Sequence, residues 1–503
     1  MQLLRASGLY LRSVGVTRTL ACAIAAAGFA AAAHADGVDL GSVKDQLPTM
    51  PNLSVAGVTI YGTIDVGYGY QTHGYEYSGA LYTGQQYQIY GSSLGGLHAI
   101  SGLTNNALSN STVGVKVEES IGLGFTAIGK LDTGFNPLSG EIADACQSLI
   151  RDANAHVNGT TIQAFGDGSR CGQAFNGEAY GGLSSSTYGT LKIGRQQSLM
   201  FDALATYDPM ALSYAMSPFG WSGFFGAGVG STETARWDES VKYIYQYGPA
   251  HAAVMYADGS PDSSIQQNAW GADLGITYKG LSIDGLYTNE RGAVNSQFGL
   301  LTGNNINQLY YFITNNQAWS VLGKYTFELG CCCCGLKDGG LKDEGPSDKV
   351  TIYGGYVHTD MTQGSAPGLG DPGGTTIGGY LLSINNLIFL STRTLQTEYA
   401  GAKYETGPWA FTAAYYHLSQ DSFSEKNDLK GTTGGCWVNQ FTCAGDYWAS
   451  SYLVDYTFNK YFDIYAGVTL SQIKGGLAHS SLSNDPYVQT DNTSVVSGLR
   501  LKF

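Results

Sequence analysis

From Val58 onward the chain repeats one pattern, in which apolar and polar residues alternate with a period of two. "VTIYGTIDVGYGY" sets Val58, Ile60, Ile64, Val66 and Tyr68 on one face and Thr59, Tyr61, Thr63 and Asp65 on the other. Side chains of a strand point alternately to opposite faces, so each such run predicts a strand with one oily and one wet face. "STVGVKVEES", "FTAIGKLDTGF", "SVKYIYQYG", "AWGADLGITY", "LSIDGLYTN", "AWSVLGKYTFE", "KVTIYGGYVHT", "WAFTAAYYH", "SYLVDYTF" and "FDIYAGVTL" repeat it. "EAYGGLSSS", "TLKIGRQ", "HAAVMYAD" and "LQTEYAGAKYE" follow it more weakly. The final "SVVSGLRLKF" places Val495, Ser497, Leu499, Leu501 and Phe503 opposite Val496, Gly498, Arg500 and Lys502.

Sixteen strands are predicted, each of about 9–11 residues, the length a tilted strand needs to cross a bilayer. An unpaired strand edge in lipid costs several kcal/mol per unsatisfied group, so the sheet must close, the last strand pairing with the first near Val58. Short connections ("IGLG", "YGT", "GPA", "KG", "GP", "NKY") alternate with long Asn/Ser/Gly-rich ones, as periplasmic turns alternate with outer loops. Aromatic residues gather near strand ends (Tyr243, Tyr245, Tyr247; Tyr325, Phe327; Tyr456, Phe458), as an interfacial girdle requires, and Phe503 falls at the rim. The predicted fold is an all-β, transmembrane, sixteen-stranded antiparallel barrel over 58–503. A soluble pair of β-sandwiches is the competing reading.

Composition narrows the choice. Charged residues are only 13%, with 70 Gly and 35 Tyr, yet mean hydropathy is −0.09. A polar lumen averaged with an apolar exterior gives such a value. Residues 1–35 carry Arg5, Arg12 and Arg18, an Ala-rich apolar stretch and Ala33-His34-Ala35, the plan of a signal peptide cleaved near Ala35. Residues 36–57 read as a polar N-terminal periplasmic leader. Loss of the three Arg and no acid moves the formal charge from −14 to −17, which disfavours a nucleic-acid partner.

Nine Cys are present, and Cys22 leaves with the signal. In an oxidising compartment the rest can pair. Cys146 with Cys171, and Cys436 with Cys443, are candidate loop staples. The run Cys331 to Cys334 falls on the turn side; a disulfide-bearing or partly reduced turn fits it better than a metal site, since no ligand-spaced His or second Cys pair accompanies it. No cofactor and no metal are expected.

These residues resemble the general trimeric porins of Gram-negative outer membranes, beta-proteobacterial type. "STVGVKVEESIGLGFTAIGKLDTGFN" resembles S-R-x-G-L-R-G-T-E-D-L-G-G-G-L-K-A, and "AYGGLSSSTYGTLKIGRQ" resembles A-Y-V-G-L-S-G-x-F-G-T-V-x-L-G-R-Q. "ARWDESVKY" is similar to R-x-x-N-S-V-x-Y, and Phe503 matches the family's terminal assembly signal. The resemblance implies a homotrimer in outer-membrane lipid and lipopolysaccharide, delivered by the outer-membrane assembly machinery. Its third outer loop, here about 196–235, would fold into the lumen. The acids Asp202, Asp208 and Glu233 would then face a basic wall of Lys116, Lys130, Lys192, Arg236 and Lys242 across a constriction. A surface or intersubunit loop, and ordinary polar lining, are the alternatives for these two sets. The family's further constriction Arg positions are here Thr112 and Gly177.

The implied function is passive diffusion of ions and small hydrophilic solutes. An adhesin or receptor barrel is the alternative, and a barrel-borne hydrolase a weaker one. His73, His98, His156, His251, His358, His417 and His479 are scattered, and neither G-x-S-x-G nor H-E-x-x-H occurs. No enzyme activity is expected.

Overall fold

A computed structural model describes residues 57–73, 98–144, 172–220, 235–259, 268–298, 308–329, 348–364, 391–423, 444–478 and 489–503, with short strand pieces between them. Sixteen strands form the wall. They are β1 (Val58–Gln71), β2 (in two runs, Ile100–Asn105 and Thr112–Gly122), β3 (Phe125–Gly134), β4 (Ala179–Ser185) and β5 (Gly189–Gln197). Then come β6 (Arg236–Tyr247), β7 (Ala250–Ala257), β8 (Ala269–Tyr278), β9 (Leu281–Phe298), β10 (Gln308–Leu329) and β11 (Asp348–Gln363). The circuit ends with β12 (Arg393–Thr406), β13 (Trp409–Gln420), β14 (Gly445–Asn459), β15 (Phe462–Gly475) and β16 (Asp491–Lys502).

Each strand pairs antiparallel with the next, and β16 returns to β1 from Thr63↔Lys502 to Gln71↔Ser494. No wall strand is left with an open edge, which is the condition for a sheet in hydrocarbon. Phe503 extends the closure. Its amide donates to the Gly62 carbonyl at 3.1 Å and its carbonyl accepts from the Gly62 amide at 2.9 Å. A Cβ on Gly62 would stand 2.4 Å from the Phe503 ring, so this glycine makes room for it. Deleting Phe503 is expected to leave secretion intact and block insertion, read as chain in the periplasm and absent from the outer membrane. Normal outer-membrane levels of the shortened chain would refute this.

The alternation holds through the wall. Val58, Ile60, Val113, Val115, Leu274, Ile276, Val321 and Tyr415 point outward and are exposed. Asp65, Thr288, Asn316, Ser320, Ser451 and Asp463 point inward and are buried. An apolar surface of this extent is tolerated only against lipid or another subunit. Aromatic pairs fall into two bands. Tyr325 with Phe327 (4.5 Å between centroids), Trp409 with Tyr456 (4.6 Å) and Phe458 with Phe462 (5.3 Å) lie at the short-turn rim. Trp270 with Tyr287, Trp319 with Tyr356 and His417 with Trp448 lie towards the other rim. Between Trp319 and Phe327 about 27 Å of strand runs at ~3.4 Å per residue, or roughly 20 Å of membrane height after tilting.

Several strands exceed the expected 9–11 residues: β9 has 18 residues, β10 has 22 and β11 has 16. At ~3.3 Å per residue β10 is about 70 Å long, far more than a bilayer needs, so these hairpins continue as sheet beyond the hydrocarbon. The second strand is also longer than expected. It begins at Ile100, and 106–111 interrupts it. The signal segment, nearly all of the leader, Glu233 and Cys146, Cys171, Cys331 to Cys334, Cys436 and Cys443 lie outside the described residues.

Candidate functional site

The connection from β5 to β6 enters the barrel. It starts with the helix α1 (Leu199–Tyr207), which alternation could not reveal. Ser198 caps it by accepting from the Phe201 amide at 3.2 Å, and Asp202 stands in the first turn, where a negative charge suits the helix dipole. The Asp208 amide closes the last turn on the Leu204 carbonyl at 2.8 Å, and Pro209 prevents continuation. Met200, Leu204, Tyr207, Met210, Met216 and Phe219 are all buried, so the segment is a packed element and not a surface loop.

Its polar anchors reach far around the wall. The Tyr207 hydroxyl meets Ser282 Oγ on β9 at 2.6 Å, and Lys324 on β10 donates to the Thr206 carbonyl at 3.1 Å. Tyr399 on β12 donates to the Tyr207 carbonyl at 3.1 Å. Tyr416 on β13 donates to Asp208 Oδ1 at 2.5 Å. Ser451 on β14 donates to the Met216 carbonyl at 2.6 Å, and Thr469 on β15 to the Ala215 carbonyl at 3.1 Å. Glycines admit the close approach: a Cβ on Gly401 would lie 2.6 Å from the Pro209 ring, and one on Gly467 would lie 2.5 Å from Met216.

The predicted basic residues occupy the wall strands β2 to β6. Register places Lys116 beside Lys130, Lys130 beside Tyr180, and Lys192 beside Lys242. Lys242 bonds Asp202 Oδ2 at 2.8 Å and the Gln197 carbonyl, which ties the helix to the wall. The Arg236 guanidinium sits 5.7 Å from the Phe201 ring. Lys130 is held by Glu178 at 2.5 Å and Asp132 at 3.2 Å. Lys192 lies 4.7 Å over the Tyr180 ring. Lys116 approaches Glu118 at 3.9 Å with its side chain 45% exposed.

Asp208 does not face these cations. It is 2% exposed and accepts from Tyr416 on the other wall, from the Leu212 amide at 2.8 Å and from the Met210 amide at 3.4 Å. Burial pushes its carboxyl above the usual carboxylate range, while these donors pull it back. Its role is to fasten the loop, which spacing along the chain could not disclose.

Two charged groups outside the predicted set are held in networks of their own. Arg195 donates to the Gly177 carbonyl at 3.0 Å and the Asn176 carbonyl at 2.9 Å, and pairs with Asp238 at 2.5 Å. Arg500, on the wet face of the last strand, bonds Asp463 at 2.7 Å, Asp455 at 2.6 Å and Ser109 Oγ at 3.1 Å. Asp65 holds the 106–111 insertion by accepting from the Leu108 and Ser109 amides at 2.9 and 2.7 Å, and it accepts from Tyr465 at 2.5 Å. The insertion in turn meets the inward loop, where the Ala215 amide donates to the Ala107 carbonyl at 2.9 Å. Alternation flagged Asp65 and Arg500 as lumen-facing but gave no hint that they converge.

Gly177, one of the two Arg-equivalent positions of the resemblance, takes a side chain only if the Asp132 carboxylate moves. A Cβ there would fall 1.5 Å from Asp132 Oδ1, which accepts from the Glu178 amide at 2.6 Å. The charge pattern of this wall therefore differs by construction from an Arg ladder.

A family model described as Gram-negative porin matches residues 19–476. An outer membrane porin protein of Bordetella pertussis is 25% identical over 252 residues, 50% of each chain, so this chain spans about half the length of that curated relative. Among solved structures, the anion-selective porin from Comamonas acidovorans superposes with a TM-score of 0.53 at 14% identity, covering 89% of this chain and 99% of that one. At that identity the likeness concerns the fold alone. The family model runs across fifteen of the sixteen wall strands, and on that ground the chain belongs to the Gram-negative porin family.

Proposed function

We propose that this chain is a passive diffusion channel of the outer membrane, admitting ions and small hydrophilic solutes. The observation that carries the reading is the docking of the 198–220 segment along the β9–β15 side of a closed barrel, opposite a wall that keeps charged side chains. A preformed polar passage narrowed by a fixed segment needs no chemistry at a bond and no cofactor. The proposal includes signal cleavage near Ala35, a homotrimer in outer-membrane lipid and lipopolysaccharide, and delivery by the assembly machinery through Phe503. Family membership and the outward apolar surface support it. Liposomes carrying the protein are expected to swell in sugars at a rate that falls steeply with sugar size and does not saturate with concentration. Swelling no faster than in protein-free liposomes would overturn the reading.

The constriction is assigned to Lys116, Lys130, Lys192, Arg236 and Lys242 with the loop acids Asp202 and Glu233. Lys130 and Lys242 are neutralised by carboxylates at 2.5 to 3.2 Å, so the wall presents less positive charge than its residue count. At a screening length of about 8 Å, distant charges count little and the narrowest region decides. Weak cation selectivity or near neutrality is the expected result in a salt gradient. Thr112→Arg, at an inward position beside Thr63, should move the zero-current potential toward anions. A strong chloride preference in the unaltered pore would contradict the assignment.

A further inference from the structure

We propose that the lumen wall carries a binding site for a divalent transition-metal cation, formed by His251 on β7, Asp273 on β8 and Asp284 on β9. The three strands are consecutive, and register sets His251, Gly275 and Asp284 in one row with Asp273 in the neighbouring row. All three side chains belong to the inward-facing sets of their strands.

The donor atoms are already grouped. His251 Nε2 lies 3.1 Å from Asp284 Oδ1 and 3.8 Å from Asp273 Oδ2, and one ligand atom from each residue falls within 4.8 Å of the others. A cation at about 2.0–2.2 Å from each donor needs separations of roughly 3–4.4 Å, which this group meets with small rotamer adjustments.

Two further observations point to a ligand. Asp284 is 6% exposed, and its Oδ1, although 3.1 Å from His251 Nε2, accepts no hydrogen bond, while the buried Asp273 Oδ1 accepts none either. Buried carboxylate oxygens without donors are costly, and the neighbouring imidazole can supply at most one positive charge to two acids. The second observation is Gly275, between His251 and Asp284. A Cβ there would stand 1.9 Å from Asp284 Oδ1 and 2.5 Å from His251 Nε2, so only glycine lets the two side chains close over its strand.

One imidazole nitrogen with two carboxylates favours zinc and its transition-metal neighbours. Calcium and magnesium prefer all-oxygen shells. With three protein ligands the remaining coordination positions open to the water of the lumen. The site also adjoins the inward loop, because Ser282, two residues before Asp284, is the partner of the Tyr207 hydroxyl.

The test uses the mature chain, stripped with chelator and with its free thiols alkylated. Crystals soaked in zinc chloride are expected to give an anomalous peak at the zinc edge among His251, Asp273 and Asp284. In calorimetric titration with zinc chloride, His251→Asn and Asp284→Asn should each weaken binding at least about tenfold. His417→Asn, on the outward face, should not, and millimolar magnesium should not displace the zinc. Absence of the peak at these residues overturns the proposal, and this reading needs no variant to fold. Unchanged affinity in folded His251→Asn, or displacement by magnesium, also overturns it. Channel activity is independent of either result.

Discussion

Replacing Arg500 with methionine is expected to cost about 3 kcal/mol of folding stability and to lower the yield of closed barrel. The guanidinium bridges Asp463 and Asp455 at 2.7 and 2.6 Å and reaches Ser109 on the inward insertion at 3.1 Å. Asp463 is nearly sealed, its side chain 3% exposed. Removing one partner of a buried ion pair costs about 3–5 kcal/mol, because the remaining charge stays buried without compensation. The lower end applies here, since Lys502 remains on Asp463 at 2.7 Å. Arg500 lies on β16, which closes the barrel onto β1, so the loss falls on the closing strand. The measurement is the urea midpoint for folding into micelles, with heat-modifiable mobility as the count of folded chain. Adding Asp455→Asn should recover at least half of the loss, because Asp455, unlike Asp463, keeps no ion-pair partner among the described residues once Arg500 is gone. A change below about 1 kcal/mol in Arg500→Met would mean that solvent already screens the cluster.

Removing the hydroxyl of Tyr416 is expected to loosen the inward loop without unfolding the barrel. Its bond to Asp208 ties the loop to β13 at 2.5 Å and has a carboxylate acceptor, a class that contributes about 1.5–3 kcal/mol when ionised. That corresponds to a roughly 10- to 100-fold shift between docked and released loop. Other anchors persist at Ser282, Ser451 and Thr469, so Tyr416→Phe should appear as added conductance sublevels above the main one.

The same latch carries a pH dependence. The folded-state pKa of Asp208 lies above its ordinary 3.8 through burial, so the docked state holds the proton more tightly than the released one. Stabilisation from this group is therefore complete below about pH 3.8 and is lost as pH rises through the folded value. Wide sublevels should be more frequent near pH 8 than near pH 4. Asp208→Asn should remove that difference. Identical recordings at both pH values in the unaltered channel would show that Asp208 does not hold the loop.

Most of the wall was legible because a two-residue period is a local signal. The run from Trp409 to His417 reveals its faces without knowledge of its neighbours. The second strand was read only from Ser111 because "NNALSN" breaks the alternation, and its cause is remote: Asp65 folds that stretch inward around its carboxylate. The inward loop was legible through the family resemblance but not as a helix with fixed anchors. Asp208 and Tyr416 are 208 positions apart, and no local pattern connects them. Arg195 was hidden for another reason. Alternation puts it in the row of the outward Ile193, but a register shift on the neighbouring strand between Trp237 and Ser240, with Glu239 at φ 50°, lies beside it, and its partners Asn176, Gly177 and Asp238 are remote in sequence. Gly177 illustrates the limit of a motif, since a side chain there would displace the Asp132 carboxylate of the preceding strand β3.

The central claim is a preformed, water-filled passage, and recording single channels of the refolded protein in a planar bilayer tests it most directly. Stepwise openings with a linear current–voltage relation, grouped in threes and requiring no added ligand or energy source, are the expected result. A bilayer that stays silent while the protein is folded and inserted would contradict the account.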